Sequence, residues 1–321
     1  MAGKVKGGAA FPLLMTEAQA NIKFEQVVQK IDPQNKLLLP WKLTGGVSGQ
    51  VTALEFERPG GQTQTVIVRQ HGNADLKRNP RIAADEFQLL QLLHSAGLAV
   101  PRPYFVDSSG EIFSTPYVVI EYIEGQPEFA PAHLDTFLLQ FSMHLSRIHA
   151  VDCSRLDVSF LPRQESIYAK KLRERPANVD ESLHEGRIRD ALDAVWPLPQ
   201  RNSDALLHGD FWPGNILWKD EQLVAIIDWE DAAIGDPLAD LANSRLEILW
   251  AFGSEAMRNF THQYRLMTGV DFTDLPYWNL CAALRPIANM AGWGLDEITE
   301  KTMREKHRWF TEQALKKLPR P

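Results

Sequence analysis

Polar side chains stand at the ends of two short apolar runs in the second half of the chain. The runs Asn215–Trp218 and Leu223–Asp228 are aliphatic and are typical of short strands. If these strands lie side by side, Asp210, Asn215 and Asp228 meet at one end of them. Mg²⁺ with a polyphosphate needs such a set of few hard oxygen ligands, with its other positions left to water and phosphate. Asp210 would then be available to accept a proton from an attacking hydroxyl.

The segment from His208 to Asn215 carries the most specific pattern of the chain. It reads His-Gly-Asp, four further residues and Asn, which is the spacing of the protein-kinase loop H-R-D-L-x-x-x-N with Gly209 in place of Arg. The segments Ile227–Glu230 (IDWE) and Gly235–Ala242 (GDPLADLA) continue it. Together these motifs resemble the aminoglycoside phosphotransferase family, kinase-fold enzymes that phosphorylate hydroxyls of small molecules. The alternative, that these polar residues merely cap strands and turns, leaves their joint order and spacing to chance.

The resemblance implies an α+β, bilobal protein-kinase-like fold, with a small antiparallel-sheet N-terminal lobe and a larger, mainly helical C-terminal lobe. We expect residues 1–123 to form the nucleotide-binding lobe, with residues 1–15 as a flexible lead-in. Residues 124–321 would form the helical lobe with the catalytic loop and the acceptor site. The backbone of Glu121, Tyr122 and Ile123 would join the lobes and meet the adenine edge, an expectation that rests on position alone.

The resemblance also assigns roles to the polar residues. Asp210 would be the catalytic base, and Asn215 and Asp228 would hold Mg²⁺. ATP or, alternatively, GTP would supply the phosphoryl group to a small hydroxylated acceptor. His208 and Asp240 are expected to brace the catalytic loop rather than to do chemistry. For Glu230 a metal contact, a contact with a cationic acceptor and a solvated turn stay open, and for Asp231 we favour the turn.

A glycine-rich turn, Thr44–Gln50, lies between two strand-like runs. Its glycines would let backbone N–H groups approach a phosphate, although the turn taken alone favours an ordinary hairpin. The Gly-Lys-Ser/Thr ending of a P-loop is missing, so a Walker-type NTPase is not supported. The position of the turn matches the nucleotide-covering loop of kinases. By that resemblance we assign Gly45, Gly46, Ser48 and Gly49 to nucleotide binding.

Two charged residues of the N-terminal half would complete the nucleotide site. Arg69 lies near the end of the strand-like run Thr65–Gln70, where kinases have a lysine for the α- and β-phosphates. Arg keeps the charge and can bind phosphate in a bidentate way, but it is bulkier; the alternative is a solvated arginine at a strand end. Glu86, on the amphipathic helix Arg81–Ala96, stands where the paired glutamate should be, with Asp85 as an adjacent competitor.

The other elements follow from apolar periodicity and from turn residues. We expect strands at Leu37–Leu43, Val51–Glu57 and Tyr117–Tyr122, and a short hairpin from Tyr104–Val106 and Ile112–Phe113. His144 and His149, on one of the helices, have no partners at zinc-ligand spacing and are expected to be structural or surface residues. The predicted helices are Thr16–Ile31, Leu134–Val151, Glu165–Arg175, Leu183–Trp196, Asp236–Trp250, Glu255–Met267, Leu275–Ala291 and Lys301–Leu318.

Composition bounds the partners of the chain. Its 321 residues are 44% hydrophobic and 23% charged, and the net charge of −7 gives no general reason to bind nucleic acid or an anionic membrane. No apolar run approaches the length of a membrane span. Two cysteines outside any CxxC pair favour free thiols in a reducing cytosol. The apolar patch near the N-terminus is short and broken by Pro12, so we expect a cytoplasmic rather than a secreted protein.

Two other functions compete with a kinase. A metallohydrolase could use the same His and Asp residues, but it would need more His ligands around a two-metal centre. A catalytically silent nucleotide-binding scaffold is the stronger alternative because Arg69 replaces lysine, yet Asp210, Asn215 and Asp228 are all present. The family accepts antibiotics, amino alcohols and sugars. Its acceptor specificity would come from residues 152–204 and 254–318, whose sequence does not indicate one of these classes. The sequence does not indicate the oligomeric state either.

Overall fold

The computed structural model describes residues 17–43 and 49–319, which divide into two units. The first unit holds the described residues up to Phe87 together with Pro103–Tyr122, and the second holds Gln88–Arg102 and the chain from Ile123 onward. The expected N-terminal lobe, residues 1–123, was uninterrupted. In the structure the segment 88–102 groups with the second unit, where Ala99 O accepts a hydrogen bond from Ile226 N at 2.7 Å. The division into lobes at residues 123 and 124 stays a prediction.

The first unit is built on a five-stranded antiparallel sheet with the order β1-β2-β3-β5-β4. Helix α1 precedes the sheet, and the short helix α2 and the beginning of α3 follow β3. The elements are α1 (Glu17–Ile31), β1 (Lys36–Lys42), β2 (Gly49–Glu57), β3 (Thr63–His71), α2 (Asn73–Arg78), α3 (Ile82–Ser95), β4 (Pro103–Asp107) and β5 (Tyr117–Glu121).

The core of this unit forms where α1 meets one face of the sheet. Val27 and Val28 of α1 are fully buried with alternate residues of the strands, such as Leu54 of β2 and Val66 of β3. Leu54 and Val66 are direct cross-strand partners, so their side chains share one face of the sheet. Burial of this aliphatic face supplies the main hydrophobic stabilisation of the unit.

The predicted hairpin with Ile112–Phe113 as its second strand is wrong. Residues 111–115 form bends, and β4 pairs with β5 instead. Ile112 and Phe113 are buried in the core of the first unit, where the Phe113 ring packs edge-on against Tyr117 with centroids 5.1 Å apart. Their apolar character serves this anchoring and not strand pairing.

The second unit is mainly helical. Helix α4 packs on α7, α7 on α8, and α8 on α9. Two small antiparallel strand pairs, β6 with β9 and β7 with β8, lie among the helices. The elements are α4 (Leu134–His149), α5 (Gln164–Arg173), α6 (Glu185–Asp193), β6 (Ala205–Leu207), β7 (Ile216–Lys219), β8 (Gln222–Ile226), β9 (Ala233–Gly235), α7 (Leu238–Met267), α8 (Leu275–Leu284) and α9 (Glu297–Lys316).

Helix boundaries differ from the predictions in two informative places. The predicted helices Asp236–Trp250 and Glu255–Met267 are the two halves of α7, which is broken at Gly253 (φ 90°, ψ 179°). Helix α8 ends at Leu284 and not at Ala291, because Pro286 has no N–H group to continue the helical hydrogen bonds. In the described ranges no helix has both the length and the apolar character that crossing a membrane requires.

Candidate active site

Two strand pairs of the second unit position the motif residues. The loop from His208 to Asn215 connects β6 to β7, and Asp228 follows β8. Strands β7 and β8 are antiparallel, and Ile227 N donates a hydrogen bond to Asn215 O at 2.9 Å. The predicted side-by-side arrangement is therefore present, and the backbone of Asn215 lies next to that of Asp228.

Asp210 and Asn215 are in direct contact. Asn215 Nδ2 donates to Asp210 O at 3.0 Å and to Asp210 Oδ2 at 3.2 Å. Because the amide nitrogen of Asn215 faces Asp210, its amide oxygen faces away from Asp210. Asp228 has φ 66°, a left-handed backbone conformation that is uncommon outside glycine and is enriched at functional sites. All three polar motif residues thus belong to one local arrangement.

Two buried residues, Asp240 and His208, hold the loop from His208 to Asn215 in place. Asp240, in the first turn of α7, accepts hydrogen bonds from His208 N at 2.7 Å and Gly209 N at 2.9 Å. His208 in turn reaches Ile227 O with Nε2 at 3.0 Å and accepts from Asp210 N with Nδ1 at 3.2 Å. The side chains expected to brace the loop therefore make bracing contacts, and His208 ties the loop to the segment that carries Asp228.

The charge of Asp240 is stabilised within this buried network. Asp240 is 1% exposed, and His149 Nε2 lies 3.3 Å from its Oδ2 while His149 Nδ1 lies 2.6 Å from the hydroxyl of Tyr264. Burial alone would raise the pKa of Asp240, but the hydrogen bonds and charge interactions with His149 and His208 together lower that pKa below its ordinary value. His149 is thus a structural residue, which is one of the two roles expected for it; the other was a surface residue.

Gly209 is required by the backbone of the loop. Its φ is +82°, and a Cβ atom there would overlap the backbone carbonyl of Asp231. A side chain at this position would push the Asp231 segment away from the catalytic loop. The difference from the protein-kinase pattern, glycine in place of arginine, has this close approach as its physical basis.

Arg285, at the end of α8, is a site residue that sequence reasoning did not identify. Its guanidinium donates to Gly209 O, lies 3.4 Å from Asp210 Oδ1 and lies 3.7 Å from Asp231 Oδ2. The pair Arg285 and Asp210 is separated by 75 positions, and no motif marks the arginine. Asp231 lies in a turn, as expected, and its contact with Arg285 adds this residue to the site.

Burial and neighbouring charges tune two carboxyl groups here. Burial raises the pKa of Asp210 above its ordinary value, although the positive charge of Arg285 acts in the opposite direction. Burial also raises the pKa of Glu247 on α7 to about 8, with the charge of Asp210 adding to the effect. A carboxylate with a raised pKa is a stronger base, so the environment of Asp210 suits proton acceptance.

In the first unit, Glu86 and not Asp85 pairs with Arg69. Arg69 Nη1 lies 3.1 Å from Glu86 Oε1, and the two side chains are only 11% and 4% exposed. Asp85 instead accepts hydrogen bonds from Asn79 and Arg81. Burial opposes ionisation of Glu86, but Arg69 and His71 lower its pKa. His71, 3.0 Å from Glu86 Oε2, is a second partner that the sequence did not indicate.

Of the other residues expected to bind nucleotide, some lie in the described part of the structure and some do not. Gly45, Gly46 and Ser48 lie outside the described residues. Gly49 begins β2 opposite His71. Glu121 ends β5 opposite Val66, and the Tyr122 ring packs edge-on against Trp41 with centroids 6.1 Å apart. Ile123 is the residue at which the chain enters the second unit for the second time. Their roles at the adenine remain predictions.

The donor set of the second unit fits Mg²⁺. A carboxylate from Asp228 and an amide oxygen from Asn215 are hard oxygen donors. Asn215 immediately precedes β7 and Asp228 follows β8, and these two strands pair side by side. Arg285 supplies a positive charge on the Asp210 side of the loop. The arrangement could therefore hold a cation with phosphate oxygens while leaving Asp210 to a hydroxyl group.

Comparison with known proteins places this site in a family. Residues 43–276 match the profile of the phosphotransferase enzyme family, abbreviated APH. The rat protein acyl-CoA dehydrogenase family member 11 is 27% identical over 274 residues, which are 74% of this chain and 34% of that protein. Viomycin phosphotransferase of Streptomyces vinaceus is 26% identical over 203 residues, 57% of this chain and 69% of that enzyme. This chain thus spans about a third of the length of the first of these relatives.

A solved structure shows the same fold. The GDP complex of aminoglycoside 2′-phosphotransferase-IIIa superposes with a TM-score of 0.65 at 16% identity, covering 91% of this chain and 99% of the other. The predicted α+β, protein-kinase-like fold, with an antiparallel-sheet unit and a mainly helical unit, is confirmed. The family profile covers well over half of the 321 residues. This chain belongs to the phosphotransferase enzyme family.

Proposed function

We propose that this chain transfers the γ-phosphoryl group of ATP or GTP to a hydroxyl group of a small molecule. The observation that carries the proposal is the cluster of Asp210, Asn215 and Asp228, in which Asn215 binds Asp210 directly and lies beside the backbone that leads to Asp228. Membership of the phosphotransferase enzyme family supports this reaction class. A structural neighbour holds GDP, which supports a purine nucleotide as the donor.

Asp210 is the proposed base. Its raised pKa favours acceptance of the hydroxyl proton, and Arg285 and Asn215 fix the orientation of its carboxylate, which stays 36% exposed. Asn215 and Asp228 would hold Mg²⁺, which neutralises charge on the phosphates when bound. Catalysis of this kind depends chiefly on positioning and electrostatics, so the bracing contacts of Asp240 are part of the proposed machinery.

The first unit supports an active nucleotide site. Arg69 is held by Glu86 in a largely buried ion pair, which argues against the alternative of a solvated arginine at a strand end. Arginine offers two parallel donors to a phosphate, so a lysine is not required for charge at this position. The competing hypothesis, a catalytically silent scaffold, gives no reason for a half-buried Asp210 that is held in place by Asn215 and Arg285.

The acceptor is proposed only as a class, a small molecule with a free hydroxyl. Relatives differ in what their names state: one is a viomycin phosphotransferase and several are acyl-CoA dehydrogenase family members. Acceptors worth testing therefore include aminoglycosides and peptide antibiotics, neutral sugars and amino alcohols, and hydroxylated acyl-coenzyme A thioesters. These groups also differ in charge. A cationic acceptor would be attracted to Asp231, and an anionic acceptor would be attracted to Arg285.

The test is acceptor-dependent release of ADP or GDP in the presence of Mg²⁺. We expect one acceptor group to stimulate release well above the acceptor-free rate, and chelation of Mg²⁺ to abolish the stimulation. Mass spectrometry of the acceptor should show the mass of one added phosphoryl group. Binding of Mg·ATP without turnover on any acceptor would favour the silent scaffold, and absence of nucleotide binding would contradict the proposal altogether.

A further inference from the structure

The break in α7 brings two distant parts of that helix together. Arg245 precedes Gly253 and Thr261 follows it, and the two residues are 16 positions apart. In a straight helix they would be separated by about 24 Å, beyond the reach of any side chain. Arg245 Nη1 nevertheless donates a hydrogen bond to Thr261 Oγ1. The second half of α7 therefore folds back toward the first. Arg245 and several residues of the second half line one space together with Leu275 and residues 309–317.

This space is a cavity of about 390 Å³ that we call the basic cavity. Its lining includes five basic side chains and no Asp or Glu from the described part of the chain. Three of them, Arg258, His262 and Arg265, follow at intervals of four and three residues and so share one face of α7. The basic residues are Arg245, Arg258, His262, Arg265 and Lys317, and Trp309 adds an aromatic wall.

Arg245 is a buried cation without a carboxylate partner among the described residues. It is only 8% exposed. Its Nε donates to Asn279 Oδ1 at 3.2 Å and its Nη1 donates to Thr261, so both partners are neutral oxygens. Burial lowers the pKa of Arg245 to about 10, and the positive charge of Arg265 acts in the same direction. A buried charge of this kind is costly unless a counter-charge reaches it.

The other basic residues of the basic cavity add to its excess of positive charge. Arg258, His262, Arg265 and Lys317 make no ion pair with a described carboxylate, although the whole chain carries a net charge of −7. The other prominent cavity of this unit differs in this respect, because its basic Arg189 lies 2.9 Å from the carboxylate of Glu185. The excess of positive charge is thus a property of the basic cavity and not of the protein surface in general.

We propose that the basic cavity binds a small, multiply charged oxyanion at a site separate from Asp210. Arginine guanidinium groups present paired donors that match phosphate and carboxylate oxygens. The volume falls in the range typical of small-ligand sites and leaves room for an organic part against Trp309. None of the lining residues is Asp210, Asn215 or Asp228, the residues proposed for phosphoryl transfer.

The exposed arginines of the cavity allow a test that does not disturb the buried Arg245. Isothermal titration with inorganic pyrophosphate compares the wild type with the double variant Arg258→Gln/Arg265→Gln. The matched control is Arg173→Gln/Arg187→Gln, which removes two exposed arginines of the same unit that line neither cavity. Both variants lower the net charge equally, and both leave the nucleotide site intact.

We expect the Kd of the cavity site for pyrophosphate to rise at least about tenfold in the cavity variant and by less than about twofold in the control. A second titration with citrate separates the two sources of oxyanion: a cavity-specific loss for pyrophosphate alone assigns phosphates, and a loss for citrate alone assigns carboxylates. Equal binding of both anions by the two double variants would overturn the proposal.

The position of the anion gives an independent readout. Crystals soaked in tungstate, a heavy analogue of phosphate, should show anomalous density between Arg245 and Arg265. In the Arg258→Gln/Arg265→Gln variant that density should disappear, while any density near Asp210 should persist. Tungstate density only near Asp210 in the wild-type crystals would contradict a second anion site.

Discussion

Gly209 illustrates how a single residue determines the geometry of the site. Because φ is +82° and a Cβ atom would overlap the Asp231 carbonyl, Gly209→Ala should combine backbone strain with a steric clash. We expect the free energy of unfolding to fall by about 3 kcal/mol. Phosphoryl transfer should fall by at least about a hundredfold, because the loop that carries Asp210 must shift. Urea unfolding and initial rates measure the two effects.

Gly294 provides the matched control for that substitution. It also has a positive φ, +68°, but a Cβ atom there has no neighbour within 4 Å. Gly294→Ala should therefore cost only the backbone term, about 1 kcal/mol, and leave the rate unchanged. Equal effects of the two substitutions would mean that close packing against Asp231 is unimportant.

Individual site residues differed in how well the sequence predicted them. Asp210 and Asn215 are five positions apart and their contact is nearly local, so spacing was sufficient to predict their proximity. Glu86 was predicted beside Arg69 from helix position, and its burial decided against Asp85. Arg285 and His71 were not predicted, because their contacts with Asp210 and Glu86 depend on how distant elements pack.

At the scale of elements, the first turn of α7 supports the loop between β6 and β7. Asp240 accepts two backbone N–H groups of that loop, so Asp240→Asn would replace one charged acceptor oxygen by an amide donor facing an N–H group. We expect kcat to fall by about a hundredfold with little change in nucleotide affinity. The free energy of unfolding should fall by about 2–4 kcal/mol because a buried network is broken.

Stopped-flow nucleotide binding and steady-state kinetics separate the effects on affinity and on turnover. If Asp240→Asn weakened nucleotide binding as much as it lowered kcat, the role of α7 would be general stability and not placement of the loop. Tyr264→Phe is a useful companion, since it removes the hydroxyl group that contacts His149 and leaves Asp240 unchanged.

Apolar periodicity predicted the helices well and the irregular segments poorly. The stripe of α4 is buried as expected, with Phe137, Phe141 and Ile148 among its members. Ile112–Phe113 was misassigned because two apolar residues satisfy a strand pattern and a core anchor equally well. The early end of α8 was readable from Pro286, whereas the direction in which α7 turns at Gly253 depends on packing against α8 and α9.

For the whole molecule, buried His144 predicts a dependence of stability on pH. It is 7% exposed, its Nδ1 has no hydrogen-bond partner among the described groups, and burial lowers its pKa to about 4. Between pH 6.5 and 4 the unfolded chain binds a proton there that the folded chain does not. The free energy of unfolding should therefore decrease as pH falls through this window, by about 2 kcal/mol from this group after allowance for solvent screening.

His144→Leu should remove that part of the pH dependence. His133→Leu is the control, because His133 is the exposed residue immediately before α4. Urea unfolding at pH 6.5, 5.5 and 4.5 gives the comparison. Identical pH profiles for the wild type and both variants would show that protonation of His144 is not penalised in the fold.

The composition of the whole chain gave no reason to expect the basic cavity. The net charge of −7 did not reveal the five basic side chains of the basic cavity, because four of them come from α7 and Lys317 follows α9, and they meet only in the folded unit. The assignment of residues 88–102 to the second unit was likewise not predictable, since it depends on contacts with residues more than a hundred positions away, such as Ile226.

The most direct measurement of the central claim is the acceptor-dependent transfer rate of Asp210→Asn. The matched control is Asp193→Asn, which changes an exposed aspartate of α6. We predict a loss of about a thousandfold or more in kcat for Asp210→Asn, unchanged nucleotide affinity, and a control within twofold of the wild type. If Asp210→Asn retained the wild-type rate with an acceptor that the wild type phosphorylates, Asp210 would not be the base and the proposed mechanism would be wrong.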